Sequence, residues 1–417
     1  MDNNEVELDQ LRVSEETTRA RQQAASVERS GRALCLSGGG FRAALFHLGG
    51  LLRMHQTGHL ADVGLFSSVS GGSIVSAWLA CRFLQTRSDA EETFAQWCRR
   101  IEFRQVVVEP FRSVAGSDIR TAPVLATLPW NWLVPSVRVE MLQQAYARIY
   151  GKVALHDLPQ HPRFEFCATD VTFGVHWVFS KRRIGDYLAG YLRETPPIAL
   201  AAAVAASSCF PPLFGPVAFA ARSGDFHRGR ATGEAADRLR RRIELSDGGV
   251  YDNLGMEPAL RRYREVLVSD AGAPFAFVPG RHYLRRLLRY TEVIGNQAVA
   301  LRKRLLFGMF LDGGIDGSYW NLHDRGDPGR HGYSPTLVDE VIARVRTDLD
   351  RFDATEFEVL VNHGYFACEN AIGRAGKPAD GGAAADWPYP ARADEAAVRR
   401  ALAASHRRFR PRRWWRG

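Results

Sequence analysis

Three short apolar runs in this chain each end in a glycine-rich turn. Ala33-Leu34-Cys35-Leu36 runs into Ser37-Gly38-Gly39-Gly40, Leu65 to Val69 into Ser70-Gly71-Gly72, and Ile243 to Ser246 into Asp247-Gly248-Gly249. Helical patterns follow the first two, from Phe41 to about Gln56 and from Ser73 to about Phe83. Strand, glycine turn and helix in repetition predicts an α/β fold, a parallel sheet covered on both faces. In such a sheet the carboxyl ends of the strands share one edge, and ligand sites gather there.

The rest of the chain is organised around that pattern. Residues 1–30 are polar and form an extension, residues 31–260 carry the glycine turns, and residues 261–417 read as mainly helical, notably Tyr283 to Phe307. A Gly/Pro/Ala-rich loop near 373–393 and a basic tail complete it. Asp89 to Pro162 is helical and tryptophan-rich, with Trp130, Trp132 and Leu133 in a proline-bounded loop. Thr195 with Pro196-Pro197 starts a helix whose alanine-rich body runs to Ser207. Phe164 to Thr169 and Trp177 to Ser180 read as strands.

Composition excludes several classes. With 46% hydrophobic and 24% charged residues the 417-residue chain is neither collagen-like nor wholly disordered. Its six cysteines are scattered without a C-x-x-C pair and read as free buried thiols rather than a disulfide framework. The opening MDNNEVELDQ lacks the basic-then-apolar order of a secretory signal. The longest apolar stretch, from Ile198 to just beyond Ala206, falls short of the ~20 residues of a membrane span. The expectation is a cytoplasmic protein that meets membranes only from the side. The net charge of +9, from 55 Lys+Arg against 46 Asp+Glu, favours anionic partners.

Chemistry is carried by the turns. A serine on a tight strand-to-helix turn projects its hydroxyl into the cleft, and the helix start favours developing negative charge. Ser70 fits, although Ser68-Val69-Ser70-Gly71-Gly72 has serine in place of the first glycine of G-x-S-x-G. The backbone N–H groups of Gly38, Gly39 and Gly40, with Gly71, are the candidate oxyanion hole. Arg42 follows at a helix start, suited to an anionic head group.

Taken in order, SGGGFRAALFHLGGLL, SSVSGGSIVSAWLA, ASSCFPPLF and LSDGGVYDNLG resemble the patatin-like phospholipases over roughly Arg32 to Gly255. The SGGGFRA segment also resembles the cytosolic calcium-dependent phospholipases. The resemblance implies a three-layer α/β/α sandwich and a Ser–Asp dyad without a catalytic histidine. It makes Ser70 the nucleophile and Asp247 its base, places Gly38, Gly39, Gly40 and Arg42 in the oxyanion segment, and assigns no chemistry to the block from Ala206 to Pro212. The implied activity is a phospholipase A-like hydrolysis of carboxylic esters of phospholipids or related lipids through an acyl-serine, with no cofactor or metal.

Other readings compete. Leu311-Asp312-Gly313-Gly314 repeats the D-G-G triplet but lacks the Val250, Asn253 and Gly255 that follow Asp247. Gly38-x-Gly40-x-x-Ala43 satisfies the dinucleotide fingerprint, yet the second strand ends in Ser70 rather than an acidic residue. His323, Asp324, Asp327 and His331 share a loop without a recognisable metal-ligand spacing. His47 sits on an otherwise apolar helix, where packing is its expected role. A non-catalytic lipid-binding protein could retain the same fold. Arginines among leucines in Tyr283–Arg304, and arginines with Trp414 and Trp415 in the tail, suit a lipid surface better than nucleic acid, because no nucleic-acid fold signature accompanies them.

Overall fold

In the computed structural model the described residues are 29–121, 135–194, 196–211, 214–272, 283–324, 332–374 and 385–407. Most of the N-terminal extension, the Trp130–Leu133 loop, much of the 373–393 loop and the end of the basic tail lie outside them.

One sheet organises the chain. Its strands are β1 (Arg32–Leu36), β2 (Val63–Val69), β3 (Arg163–Asp170), β4 (Val175–Phe179), β5 (Ile184–Asp186), β6 (Gly190–Leu192), β7 (Val217–Phe219), β8 (Phe226–His227), β9 (Ile243–Asp247), β10 (Glu265–Asp270) and β11 (Asp316–Asn321). The order is β11-β10-β1-β2-β3-β4-β5-β6-β8, with β9 pairing β3 and β7. The five strands from β11 to β3 are mutually parallel. The remaining pairings are antiparallel.

Alternation along β1 explains the layers. Leu34 and Leu36 enter one core, whereas Ala33 and Cys35 enter the other. The first core includes residues of α1 (Gly40–Gln56), α2 (Gly71–Thr86) and α8 (Ala354–Arg374). The second is covered by α7 (Tyr283–Leu311), through Leu306 with Val299, Met309 and Phe310. Both faces of the strand are therefore buried, as a parallel sheet requires. The covered parallel sheet expected from the glycine turns, and the three-layer α/β/α arrangement implied by the resemblance, are the observed ones.

The described part of residues 261–417 is mainly helical, as expected, but it also supplies two strands that the expectation lacked. β10 is central and pairs with β1 along the whole length of β1, and β11 lies at the sheet edge beyond it. EVLVSD at β10 is too short to show a period, and its identity as a strand comes from its neighbours. The region also reaches the first glycine turn: the Phe41 N–H donates to the Asp348 carbonyl at 2.9 Å. All six cysteines are buried and free. No described helix is long and apolar enough to cross a membrane.

Candidate active site

β3 brings the two ends of the site together. Along one edge it pairs first with parallel β2, as far as Val69 opposite Cys167, and then with antiparallel β9, where Asp247 stands opposite Ala168. The two strands thus approach head to head on adjacent β3 residues, and Ser70 and Asp247 emerge at the junction. Gly248 completes the approach. A side chain there would put its Cβ 2.4 Å from the Cys167 carbonyl oxygen, so only glycine fits.

Ser70 adopts φ 50° and ψ −115°, a left-handed conformation rare outside glycine. Such a residue stores about 1–3 kcal/mol and persists only where its surroundings fix it. Much of that fixing comes from Ser207, on α5 (Leu200–Ser208). The Ser70 N–H donates to both the carbonyl (3.1 Å) and the hydroxyl (3.0 Å) of Ser207. The Ser207 hydroxyl in turn donates to the Cys167 carbonyl at 2.6 Å, and its carbonyl accepts from the Gly248 N–H at 3.3 Å. Ser207 therefore ties the serine turn to the aspartate turn. Nothing in the block from Ala206 to Pro212 announces this role locally, since the partners of Ser207 lie far away along the chain.

Asp247 is 2% exposed. Its Oδ1 accepts from the Gly249 N–H at 2.7 Å, while Oδ2 is buried without a hydrogen bond of good geometry. Burial pushes its pKa up to about 6, against the opposing pull of the Gly249 N–H and the Ser70 hydroxyl. The carboxylate is thus ionised at neutral pH, senses Ser70, and keeps one oxygen available as a proton acceptor. A loose bond in an unliganded site is the usual state for such a pair.

The first glycine turn packs directly on the serine turn. A Cβ at Gly71 would lie 2.2 Å from the Gly40 carbonyl oxygen. Gly39 and Gly40 have φ of 141° and 60°. The Gly38 N–H is already bound to the Asn253 carbonyl at 3.1 Å and cannot serve an oxyanion, which corrects its expected role. Among the described residues no acceptor meets the N–H groups of Gly39, Gly40 or Gly71.

Arg42 is also corrected. It is 2% exposed, and its guanidinium donates to the carbonyls of Ala271, Ala343 and Val345. It staples the glycine turn to distant loops instead of meeting a head group.

Histidine stays away from the pair. Among the described residues none hydrogen-bonds to Ser70 or Asp247. His47 is buried between the Ser37 carbonyl (Nε2, 2.9 Å) and the Ser269 hydroxyl (Nδ1, 2.7 Å). A carbonyl can only accept, so Nε2 carries the proton and Nδ1 accepts. Burial lowers its pKa to about 4, so the ring is neutral. The competing Asp312 is exposed just past the end of α7. Among the described residues no group of three or more His, Cys, Asp or Glu is arranged to hold a metal.

The profile of the patatin-like phospholipases matches residues 34–260, more than half of the chain. The chain belongs to that family. A comparison with curated proteins returned no match. Among solved structures, this patatin-like protein is similar to human GIVD cytosolic phospholipase A2, at 15% identity over 93% of this chain and 63% of that one, with a TM-score of 0.47. The same human protein in complex with methyl gamma-linolenyl fluorophosphonate matches at 15% identity over 92% and 62%, TM-score 0.42. VipD from Legionella pneumophila matches at 14% identity over 84% and 67%, TM-score 0.35. The chain spans less than two thirds of the human structures it matches.

Proposed function

We propose that this patatin-like protein is a lipid acyl hydrolase that cleaves carboxylic esters of phospholipids or related lipids. The observation that carries the reading is the head-to-head meeting of β2 and β9 on β3, which sets a buried, ionised Asp247 against the Ser70 hydroxyl.

The Ser70 Oγ attacks the ester carbonyl carbon while its proton passes to Oδ2 of Asp247. The carbonyl electron pair moves onto oxygen, where the N–H groups of Gly39, Gly40 and Gly71 stabilise it. Collapse breaks the bond to the alcohol oxygen, which takes the proton from Asp247, leaving an acyl-serine. Asp247 then accepts a proton from water as that water attacks the acyl carbon. Collapse breaks the bond from the acyl carbon to Oγ, which takes that proton back, so the fatty acid leaves and Ser70 and the carboxylate are regenerated. Burial serves this cycle, because a carboxylate raised to about 6 is a better proton acceptor than an ordinary one and remains charged at pH 7.

The test measures fatty acid release from phosphatidylcholine and turnover of a short soluble ester. Ser70→Ala should lower both by about 10⁴ or more while leaving the circular dichroism spectrum unchanged. Intact mass after fluorophosphonate treatment should show one adduct in the parent protein and none in Ser70→Ala. A folded Ser70→Ala protein with parental turnover would remove Ser70 from the mechanism. Vesicle binding without turnover in the parent would favour a lipid-binding protein that keeps the fold.

A further inference from the structure

The long helix α7 has two opposite faces, and among the described residues only one joins a core. On the inner face Leu306, Val299, Met309 and Phe310 join the second core. On that side too, Arg302 donates to the Tyr251 carbonyl at 2.9 Å, and Lys303 meets Oδ2 of Asp270 at 2.6 Å. Tyr251 belongs to α6 (Gly249–Asp252), the turn that follows Asp247, and Asp270 ends β10. Both anchors therefore lie at the carboxyl edge of the sheet, beside the candidate site.

The outer face is apolar and exposed. Tyr290 is 64% exposed, Ile294 68%, Leu301 58% and Leu305 54%. At roughly 100° per residue these four project within roughly 60° of one another, and Val293 and Leu311 flank them. A stripe of this kind on a soluble surface marks an interaction site rather than ordinary surface. Exposed Arg286 and Arg304 project at its margin. The helix as a whole carries six basic residues (Arg285, Arg286, Arg289, Arg302, Lys303, Arg304) against one acidic residue, Glu292. Large apolar side chains on one face, rimmed by arginine, are the composition of a helix that lies in the plane of an anionic lipid surface.

We propose that α7 is the membrane-docking element of this protein, its Tyr290–Leu305 stripe inserting at the acyl boundary of an anionic bilayer and the arginines at its margin, Arg304 above all, meeting the phosphates. The proposal rests on the lipid-hydrolase reading for its purpose, though not for its geometry. Docking through α7 holds the Asp247 turn, and the exposed Val250 on it, against the surface that supplies substrate.

The 417-residue chain carrying Ser70→Ala, which cannot consume the lipid, is sedimented with vesicles of equimolar phosphatidylcholine and phosphatidylglycerol. Adding Leu301→Gln and Leu305→Gln should lower the partition coefficient about tenfold or more. Arg304→Gln should lower it about fivefold on these vesicles and leave binding to pure phosphatidylcholine unchanged. In a chain with Ser70 intact, the leucine substitutions should slow release from vesicles and leave the soluble ester untouched. Unchanged sedimentation of the double variant overturns the proposal. So does a fall in its melting temperature of more than a few degrees, which would make the stripe part of the fold. Light scattering without lipid gives a third check: a parent oligomer that the leucine substitutions dissociate would make the stripe a contact between copies, against the proposal. If the parent binds vesicles through α7 yet hydrolyses neither ester, docking stands and the hydrolase reading fails.

Discussion

The backbone N–H of Ser70 is shared between the carbonyl and the hydroxyl of Ser207, at 3.1 and 3.0 Å. Two acceptors from one residue hold a serine that would otherwise relax out of its left-handed conformation. They also occupy that N–H, so the oxyanion role proposed above falls to Gly39, Gly40 and Gly71.

Ser207→Ala removes the hydroxyl contacts to Ser70, Ser73 and Cys167 while the carbonyl contacts remain. Its turnover of a soluble ester should fall about tenfold to a hundredfold in kcat, with little change in KM, because the nucleophile is misplaced rather than lost. Ser207→Thr, which restores a hydroxyl, should recover part of the rate. A KM effect alone would assign Ser207 to substrate binding.

The ionisation of Asp247 predicts a pH profile. The proposed mechanism needs the carboxylate as proton acceptor, so kcat/KM on a soluble ester should rise with pH and level off above an apparent pKa of about 6. Asp247→Asn should abolish turnover at every pH, whereas Asp312→Asn, altering an exposed side chain, should leave the profile in place. A profile set near 6 that survives in a residually active Asp247→Asn variant would point to another base.

A second buried carboxyl pair sets a stability prediction. The Oδ1 of Asp186 accepts from the Leu188 and Ala189 N–H groups, and that of Asp170 from Thr172 and Phe173. Burial, and then the charge of Asp170, push the Asp186 pKa up to about 8. The folded state therefore holds a proton that the unfolded chain releases near 3.8. Stability from this group is full below that value and is lost as pH rises towards 8. Asp186→Asn cannot ionise, so its stability relative to the parent should improve from pH 5 to pH 8.5 in urea titrations. A difference independent of pH would mean the pair does not share a proton.

The neutral buried histidines predict the opposite trend on the acid side. Burial lowers both His47 and His363 to about 4 from an ordinary 6.5. Their contribution is complete above 6.5 and is lost as pH falls through 4. His363→Gln should flatten the acid loss of stability measured between pH 6.5 and 4.5. An unchanged slope would show that His363 does not drive it.

A chain ending at residue 260 keeps every segment of the family match and should still fail to fold. It lacks β10, the partner of β1 along its full length, and the Asp348 carbonyl that caps Phe41. Expression followed by circular dichroism and gel filtration checks this, and a soluble, cooperatively melting fragment would contradict it.

Local chemistry made the glycine turns and the parallel core readable in the sequence, because each turn needs small residues wherever it occurs. The meeting of Ser70 with Asp247 was readable only through family likeness, since it depends on β3 pairing with both strands. Arg42 looks like a solvent-facing residue at a helix start. Its burial is decided by carbonyls at Ala271, Ala343 and Val345, about 230 to 300 positions away. Ser207 and β10 were missed for the same reason, as their roles exist only once remote segments are packed.

The junction on β3 works as a caliper. Its jaws are Cys167 and Ala168, and the gap between them is set by the rise of a single strand residue, about 3.3 Å. Within the long stretch of chain joining Ser70 to Asp247, β3 and Ser207 set their separation, and the number of residues between those fixed points does not. Insertions in surface loops of that stretch can accumulate without moving the two groups, while a one-residue slip of β2 or β9 against β3 would misalign them at once. Length can drift in this fold; register cannot.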